Sequence, residues 1–317
     1  MNQHIQAMHN VSLRFSQVDV FAESNFRGNP LAVVHDADEL TSAHMQQIAS
    51  WTNLSETAFL MRSGDATADY KVRIFTPTTE LPFAGHPTLG ACAAWLAAGG
   101  VAKHQGFVVQ DCAKGLVRLK RERASRSISQ PALRFELAFE APPVSIEPIE
   151  PEKKLAFCEA LGLDECDLID MARLDNGPIW YAFWIKSHEM LMSLEPDHAK
   201  LARLGKIGIA SLFTTQLKSS KPAINEADRH AIPQIAVRAF AAALGVNEDP
   251  VTGSLNAALA QWLIPKAYLP RHYQARQGQR LGRDGLVDLR LDDADRLWVG
   301  GCSTIIIQGS IQSDAML

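Results

Sequence analysis

The sequence predicts a mixed α/β protein of the α+β type, built from two similar halves that each pair a sheet with an Ala-rich helix. Three observations carry that expectation. Strand-type alternation and helix-type periodicity take turns along the chain. The tetrapeptide Val72-Arg73-Ile74-Phe75 has a counterpart in Val237-Arg238-Ala239-Phe240, and Trp95-Leu96 has one in Trp262-Leu263, at nearly the same offset of about half the chain. In both places a VRxF strand leads through a Gly-containing loop into an Ala-rich helix that ends in Trp-Leu. Finally, 317 residues suit two domains, at roughly 150 residues each.

Residues 13–21 (LRFSQVDVF) alternate apolar and polar and predict the first strand. An Asn- and Gly-rich turn over 23–30 precedes a returning strand at 31–34, which makes a hairpin. Residues 38–51 have helical spacing: Thr41 or Ser42 can cap, and Met45, Ile48, Ala49 and Trp51 supply the apolar face. A polar break at 52–56 is followed by strands at 57–61 and 70–75. The Pro- and Gly-rich loop 76–87 leads into a helix over 87–98, ended by Gly99 and Gly100. The second half repeats the theme. A strand is expected at 133–139, a helix at 151–161 closed by Gly162, and strands at 180–185 and 235–240. Loop 249–254 then opens a helix running to 264, and strands at 286–291, 296–300 and 303–308 finish the chain.

Composition excludes several classes of function. Hydrophobic residues make up 47% and charged residues 21%, which is globular composition. With 31 Lys and Arg against 35 Asp and Glu, the net charge is -4, and no nucleic-acid partner is expected. The densest basic stretch, 118–126, also contains Glu122 and reads as a solvated surface. No apolar run reaches the roughly 18 residues that cross a bilayer, and the first ten residues lack the basic and apolar regions of a signal peptide. The five cysteines, Cys92, Cys112, Cys158, Cys166 and Cys302, are widely spaced without a CxxC pair. Free thiols in a reducing cytoplasm are therefore expected.

Three segments combine residue types that can carry chemistry. Glu56, in Asn53-Leu54-Ser55-Glu56-Thr57, lies in a polar break flanked by Leu54, Ala58 and Phe59. At the edge of a dry pocket its pKa would rise, which makes a carboxylate a proton shuttle near neutral pH; the other reading is a solvated loop or capping glutamate. His86, in Gly85-His86-Pro87, falls near a helix N-cap, where the helix dipole would favour a neutral ring. A histidine that merely holds the loop is the alternative. Asp249 precedes Pro250 and is biased to extended geometry, and Thr252, Gly253 and Ser254 then offer hydroxyls and N–H groups at a helix start. Those residue types also make an ordinary N-cap. Two such junctions at equivalent points of a repeat suggest a paired role, with helix N-termini suited to a small carboxylate. No phosphate loop, dinucleotide fingerprint, HExxH or GxSxG is present, and the histidines do not fall at ligand spacings, so no catalytic metal is expected.

Taken in order, VDVFAESNFRGNPLAVV, NLSET, RIFTPTTELPFAGHPTLG, Asn176-Gly177-Pro178, EDPVTGS and the late stretch with Gly278, Gly282 and Arg283 resemble the PhzF-like family, the phenazine-biosynthesis isomerases and their relatives. The resemblance runs from about residue 15 to 308. It implies the diaminopimelate-epimerase-like fold: two pseudo-symmetric domains, each a sheet wrapped around a central helix, with the active site between them. The halves would be 1–130, joined by the final strand 303–317, and 131–302. It also implies a cofactor-independent isomerase, commonly a homodimer, with Glu56, His86 and Asp249 as catalytic residues. Glu56 would take a proton from one carbon of the substrate and return it to another. Ser55, Gly85, Thr252, Gly253 and Ser254 would meet the substrate, a small carboxylate.

Some features depart from relatives of this fold. Epimerases and racemases built on it use two cysteines, whereas the matching positions here carry Glu56 and Asp249, and Cys92 falls inside the central helix. Val251 stands where many relatives have Ala, and the loop 211–220 lacks histidine, so the chemistry transfers better than the substrate. An amino-acid epimerase and a non-catalytic small-anion-binding protein are the alternative readings.

Overall fold

The computed structural model describes residues 9–121, 133–213 and 234–315. The expected boundary at 130/131, the lead-in 1–8, the basic residues beyond 121 and most of the loop 211–220 lie outside the described residues. The chain forms two compact units. The first takes the chain up to Val20, Pro30–Leu137 and the chain from Ser303; the second takes Phe21–Asn29 and Ala138–Cys302.

The first unit contains β1 (His9–Val20), β2 (Asn29–Val34), α1 (Ser42–Thr52), β3 (Thr57–Met61), β4 (Tyr70–Phe75), β5 (Glu80–Leu81), α2 (Gly85–Ala97), β6 (Phe107–Cys112) and β7 (Gly115–Arg121). β8 (Arg134–Glu140) carries the chain into the second unit. Thr41 caps α1, its hydroxyl accepting from His44 N at 3.3 Å, and Asn53 ends the helix in the left-handed region at φ 53°. Met45, Ile48 and Ala49 face Phe59 and Phe75 in one core cluster. Trp51 departs from the expected apolar face, being 79% exposed. At about 100° per residue it falls beyond the edge of the stripe set by the other three. α2 is buried on all sides from Gly85 to Ala94, which a helix tolerates only when a sheet wraps it. Its small residues allow that approach: a Cβ on Gly90 would lie 2.5 Å from Leu31 Cδ2 and 2.9 Å from Val20 Cγ2.

The second unit contains β9 (Ser145–Glu147), α3 (Pro151–Leu161), β10 (Leu168–Asp175), β11 (Ile179–Ile185), α4 (His188–Ser193), α5 (His198–Leu204), β12 (Ile207–Leu212), β13 (Gln234–Ala241), β14 (Val246–Asp249), α6 (Gly253–Leu263), β15 (His272–Gln277) and β16 (Gly285–Leu291). The last strand, β17 (Leu297–Ala315), serves both units. α6 is buried as completely as α2, and a Cβ on Gly208 would meet Leu255 Cδ1 at 2.4 Å.

The two units repeat one order of pairings. In the first, β2 runs parallel to β3, β3 antiparallel to β4, β4 parallel to β6, and β6 antiparallel to β7. In the second, β11, β12, β13, β15 and β16 repeat those directions step for step. A short return strand precedes the central helix in both, β5 against β4 and β14 against β13. The duplication inferred from VRxF and Trp-Leu is thus a duplication of topology. The tail differs from the expected pair of strands. Residues 297–300 pair with β16 and residues 303–315 with β1, so one strand runs unbroken through Gly300, Gly301 and Cys302.

Candidate active site

In the first unit, Glu56 sits in the bend just before β3, beside the partly buried Ser55, and His86 is the second residue of α2. Glu56 Oε2 lies 3.4 Å from His86 Nε2, with the side chains 17% and 5% exposed. Loss of hydration pushes the His86 imidazole down to about 3, so the ring is neutral at physiological pH. The neutral ring was expected, but its cause differs. The helix starts at Gly85 with Ala84 as its N-cap, which places His86 inside the first turn and in the interior. We expect NMR titration of the full chain to find the His86 ring signals unchanged from pH 8 to about 4.5; a midpoint near 6.5 would show a solvated ring. The contribution of this neutral ring to stability is complete above pH 6.5 and is lost as pH falls toward 3.

The start of α2 is held from inside. Thr88 Oγ donates to Ala84 O at 2.9 Å and accepts from Gln110 Nε2 at 3.1 Å, while Tyr70 Oη donates to Gln110 Oε1 at 3.1 Å. Thr88 and Gln110 are fully buried. Burying an amide is costly unless its bonds are made, and here they fasten the helix to the strand beside it.

The second unit uses the same device. Asn256 Nδ2 donates to Thr252 O at 2.9 Å and to Gln277 Oε1 at 3.0 Å. Gln277 Oε1 also accepts from Thr252 N at 3.1 Å, and Gln277 Nε2 donates to Asp249 O and Thr252 Oγ1, both at 2.9 Å. Gln277 follows Gln110 at the offset that relates Trp262 to Trp95. That shared offset, a glutamine recurring near the same point of each repeat, is the signal by which both glutamines could have been found in the sequence.

Asp249 ends β14 with its carboxylate held on both oxygens. Oδ1 accepts from Asn29 Nδ2 at 2.9 Å and Oδ2 from the Thr252 hydroxyl at 2.6 Å. Burial pushes the carboxyl up to about 6, against the lowering pull of Thr252, Asn29 and Lys206 and with a smaller upward push from Glu248. Thr252 therefore has its hydroxyl, N–H and carbonyl all engaged within the protein. Ser254 Oγ accepts from Trp180 Nε1 at 3.2 Å, and Ser254 O accepts from Asn176 Nδ2 at 2.9 Å. Gly85 and Gly253 each open a buried helix. Glu56 and His86 thus meet in one unit, and Asp249, Thr252 and Ser254 gather at the start of α6 in the other.

Several motif residues owe their identity to this framework. Asn29 donates to Asp249 and, at 2.9 Å, to Val251 O. Segment 21–29 is stitched to the loop before β16 by Arg27 Nη1 to Gly282 O, Arg283 Nη1 to Phe26 O and Asp284 N to Arg27 O, each at 2.8 Å. Gly278, at φ +94°, backs Pro250: a Cβ there would lie 2.6 Å from Pro250 O. Sequence reading singled out Asn29, Asn176 and Gly278 only as motif positions, and missed Trp180, Gln110 and Gln277.

The family model described as phenazine biosynthesis-like protein matches residues 18–309. The trans-2,3-dihydro-3-hydroxyanthranilate isomerase of Pseudomonas aeruginosa is 31% identical over 284 residues, covering 89% of this chain and 91% of its own. The crystal structure of a PhzF-family phenazine biosynthesis protein from Enterococcus faecalis superposes with a TM-score of 0.70 at 25% identity, covering 95% and 99% of the two chains. At the level of fold alone, a hydroxyproline epimerase from Agrobacterium vitis matches with a TM-score of 0.60 and 10% identity, covering 97% of this chain and 93% of that one. The architecture is that of the epimerase superfold, and the chain belongs to the phenazine biosynthesis-like PhzF family, a family of isomerases.

Proposed function

We propose that the protein is a cofactor-independent isomerase that moves a proton between two carbons of a small carboxylate, with Glu56 as the shuttle. The observation that carries this reading is the contact of Glu56 with His86, a carboxylate against a buried ring that is neutral at pH 7. In the reaction, Glu56 removes a proton from a carbon activated by the neighbouring unsaturation. The double bond shifts, and Glu56, whose carboxyl proton exchanges with solvent, delivers a proton to a second carbon, so substrate and product have one composition. His86 donates or accepts a hydrogen bond without carrying charge, and so steadies the carboxylate in either state. Asp249, titrating up to about 6, is the second acid–base group. Ser55, Gly85, Gly253 and Ser254 are the substrate contacts, and Thr252 holds Asp249. Two-thiol epimerisation finds no support, since Cys92 is fully buried within α2 and burial pushes its thiol up to about 12.

The substrate class rests on the named relative, and a cytoplasmic homodimer fits the family and the free cysteines. The test is incubation in heavy water with trans-2,3-dihydro-3-hydroxyanthranilate and a panel of cyclic and acyclic carboxylates, followed by NMR. Deuterium at a substrate carbon together with a shifted double bond is the expected outcome. Compounds that bind yet exchange no carbon-bound hydrogen would overturn it in favour of a binding role.

A further inference from the structure

The VRxF signature that revealed the duplication has a shared physical basis. Successive side chains on a strand point to opposite faces, so the Arg and the Phe two positions on share a face. Arg73 lies over the Phe75 ring at 5.1 Å, and Arg238 over Phe240 at 4.9 Å. Each guanidinium then reaches across to the return strand and grips a glutamate at two points. Arg73 Nε and Nη2 donate to Glu80 Oε1 and Oε2, both at 2.7 Å. Arg238 Nε and Nη2 donate to Glu248 Oε1 and Oε2 at 3.0 and 2.8 Å. Each arginine also anchors the helical crossover before it: Arg73 Nη2 donates to Ser42 Oγ at 2.9 Å, and Arg238 Nη1 donates to Leu191 O and Leu194 O at 3.1 and 2.8 Å.

Both gripped glutamates lie on the path to a site residue. Glu80 opens β5, which leads into α2 and His86, and Glu248 immediately precedes Asp249. We propose that Arg238 is a positioning residue for Asp249, acting through its two-point pair with Glu248, and that Arg73 with Glu80 is the first unit's copy of the same device on the approach to His86. The proposal rests on the reading in which Asp249 and His86 serve the reaction. The second-unit clamp is the more deeply buried, its side chains 5% and 8% exposed against 22% and 38% in the first.

Arg238 has an electrostatic role as well as a mechanical one. The charged groups that act on Asp249 are Glu248 on its own strand and Lys206 just before β12; its other partners, Asn29 and Thr252, are neutral. With Arg238 in place, the negative charge of Glu248 is compensated. Without it, an uncompensated carboxylate stands next to Asp249 and opposes its ionisation.

The test follows the Asp249 carboxyl carbon by NMR through a pH titration of the full chain, which needs no substrate and no turnover. Arg238→Met is expected to move the Asp249 midpoint up by roughly one unit or more, and Arg238→Lys by less. Glu248→Gln, which leaves the Arg238 charge uncompensated, is expected to lower it, and the double variant Arg238→Met with Glu248→Gln, in which both charges are gone, to titrate closer to the parent than either single variant. Should Arg238→Met not fold, Glu248→Gln and the double variant decide, and an Asp249 midpoint unmoved by Glu248→Gln overturns the proposal. So does a folded Arg238→Met protein whose Asp249 titrates like the parent, since the clamp would then be mere packing. A parent protein that exchanges no substrate hydrogen would remove the proposed reaction and leave this titration result standing.

Discussion

Glu56→Gln is expected to lower the rate of proton transfer by about a thousandfold or more, within the range assigned to a positioned general base. Glutamine keeps the shape of the side chain and its contact with His86, but it cannot take a proton from carbon. Its effect on stability should be small, below about 1 kcal/mol, so loss of turnover in a protein with an unchanged melting curve isolates the chemistry. The measurement is deuterium uptake into trans-2,3-dihydro-3-hydroxyanthranilate in heavy water, parent against variant. Equal uptake would take the shuttle role away from Glu56. His86 stays neutral down to about 3, so a rate inflection near pH 6 in the parent is expected to vanish in Asp249→Asn and to survive in His86→Asn.

The second large effect is expected at a residue that has no acid or base of its own, Gly278. An alanine there faces two costs at once. Its φ of +94° lies in the left-handed half of conformational space, which costs an L residue about 1–2 kcal/mol. Its Cβ would also stand 2.6 Å from Pro250 O and 2.8 Å from Arg283 Cβ, closer than atoms tolerate. Pro250 is the residue after Asp249, so relief of the collision displaces the carboxylate that Asn29 and Thr252 hold. We expect Gly278→Ala to destabilise the protein by about 3 kcal/mol, seen in denaturant unfolding, and to depress turnover along with it. Gly282→Ala separates the two costs. Gly282 has φ +69° but open space where a Cβ would go, so only the smaller, conformational loss is expected. Equal losses at both glycines would mean that the contact with Pro250 does not matter.

Much of the fold was legible because its signals are local. The strands at 57–61 and 70–75 and the helix at 151–161 are found where alternation, a proline start and a glycine stop placed them. The repeat was legible through residues with fixed jobs, the clamping Arg and the Trp that ends each central helix. The single long β17 was not, because continuity through Gly300 and Gly301 is imposed by partners distant in sequence, β16 on one stretch and β1 on the next. Trp51 misled for a related reason: its hydrophobicity is visible in sequence, whereas its angle around α1 relative to the sheet is not. In the candidate site, Glu56 stood out as a titratable group in the break between a helix and a strand, and His86 and Asp249 at loop-to-helix junctions. Gln110, Gln277 and Trp180 did not. A buried amide or indole is recognisable only through the bonds it makes, and those bonds join residues 21 to 74 positions apart.

The path of the chain also bears on how the protein can be assembled during synthesis. Asn29, which steadies Asp249, is translated some 220 residues before it, and β1, which pairs on one side with β2, finds its other partner only when residues 303–315 emerge after the whole second unit. The first unit therefore cannot complete its sheet as a nascent fragment, and loop closure over nearly the full length of the chain must precede its final stabilisation. Folding should be slow for the protein's size, with the second unit consolidating while β1 waits with one edge open, a state in which an exposed strand edge favours aggregation. Transferring residues 303–315 to the N-terminal side of β1 by circular permutation would shorten that wait, at the expense of opening β17 between Cys302 and Ser303.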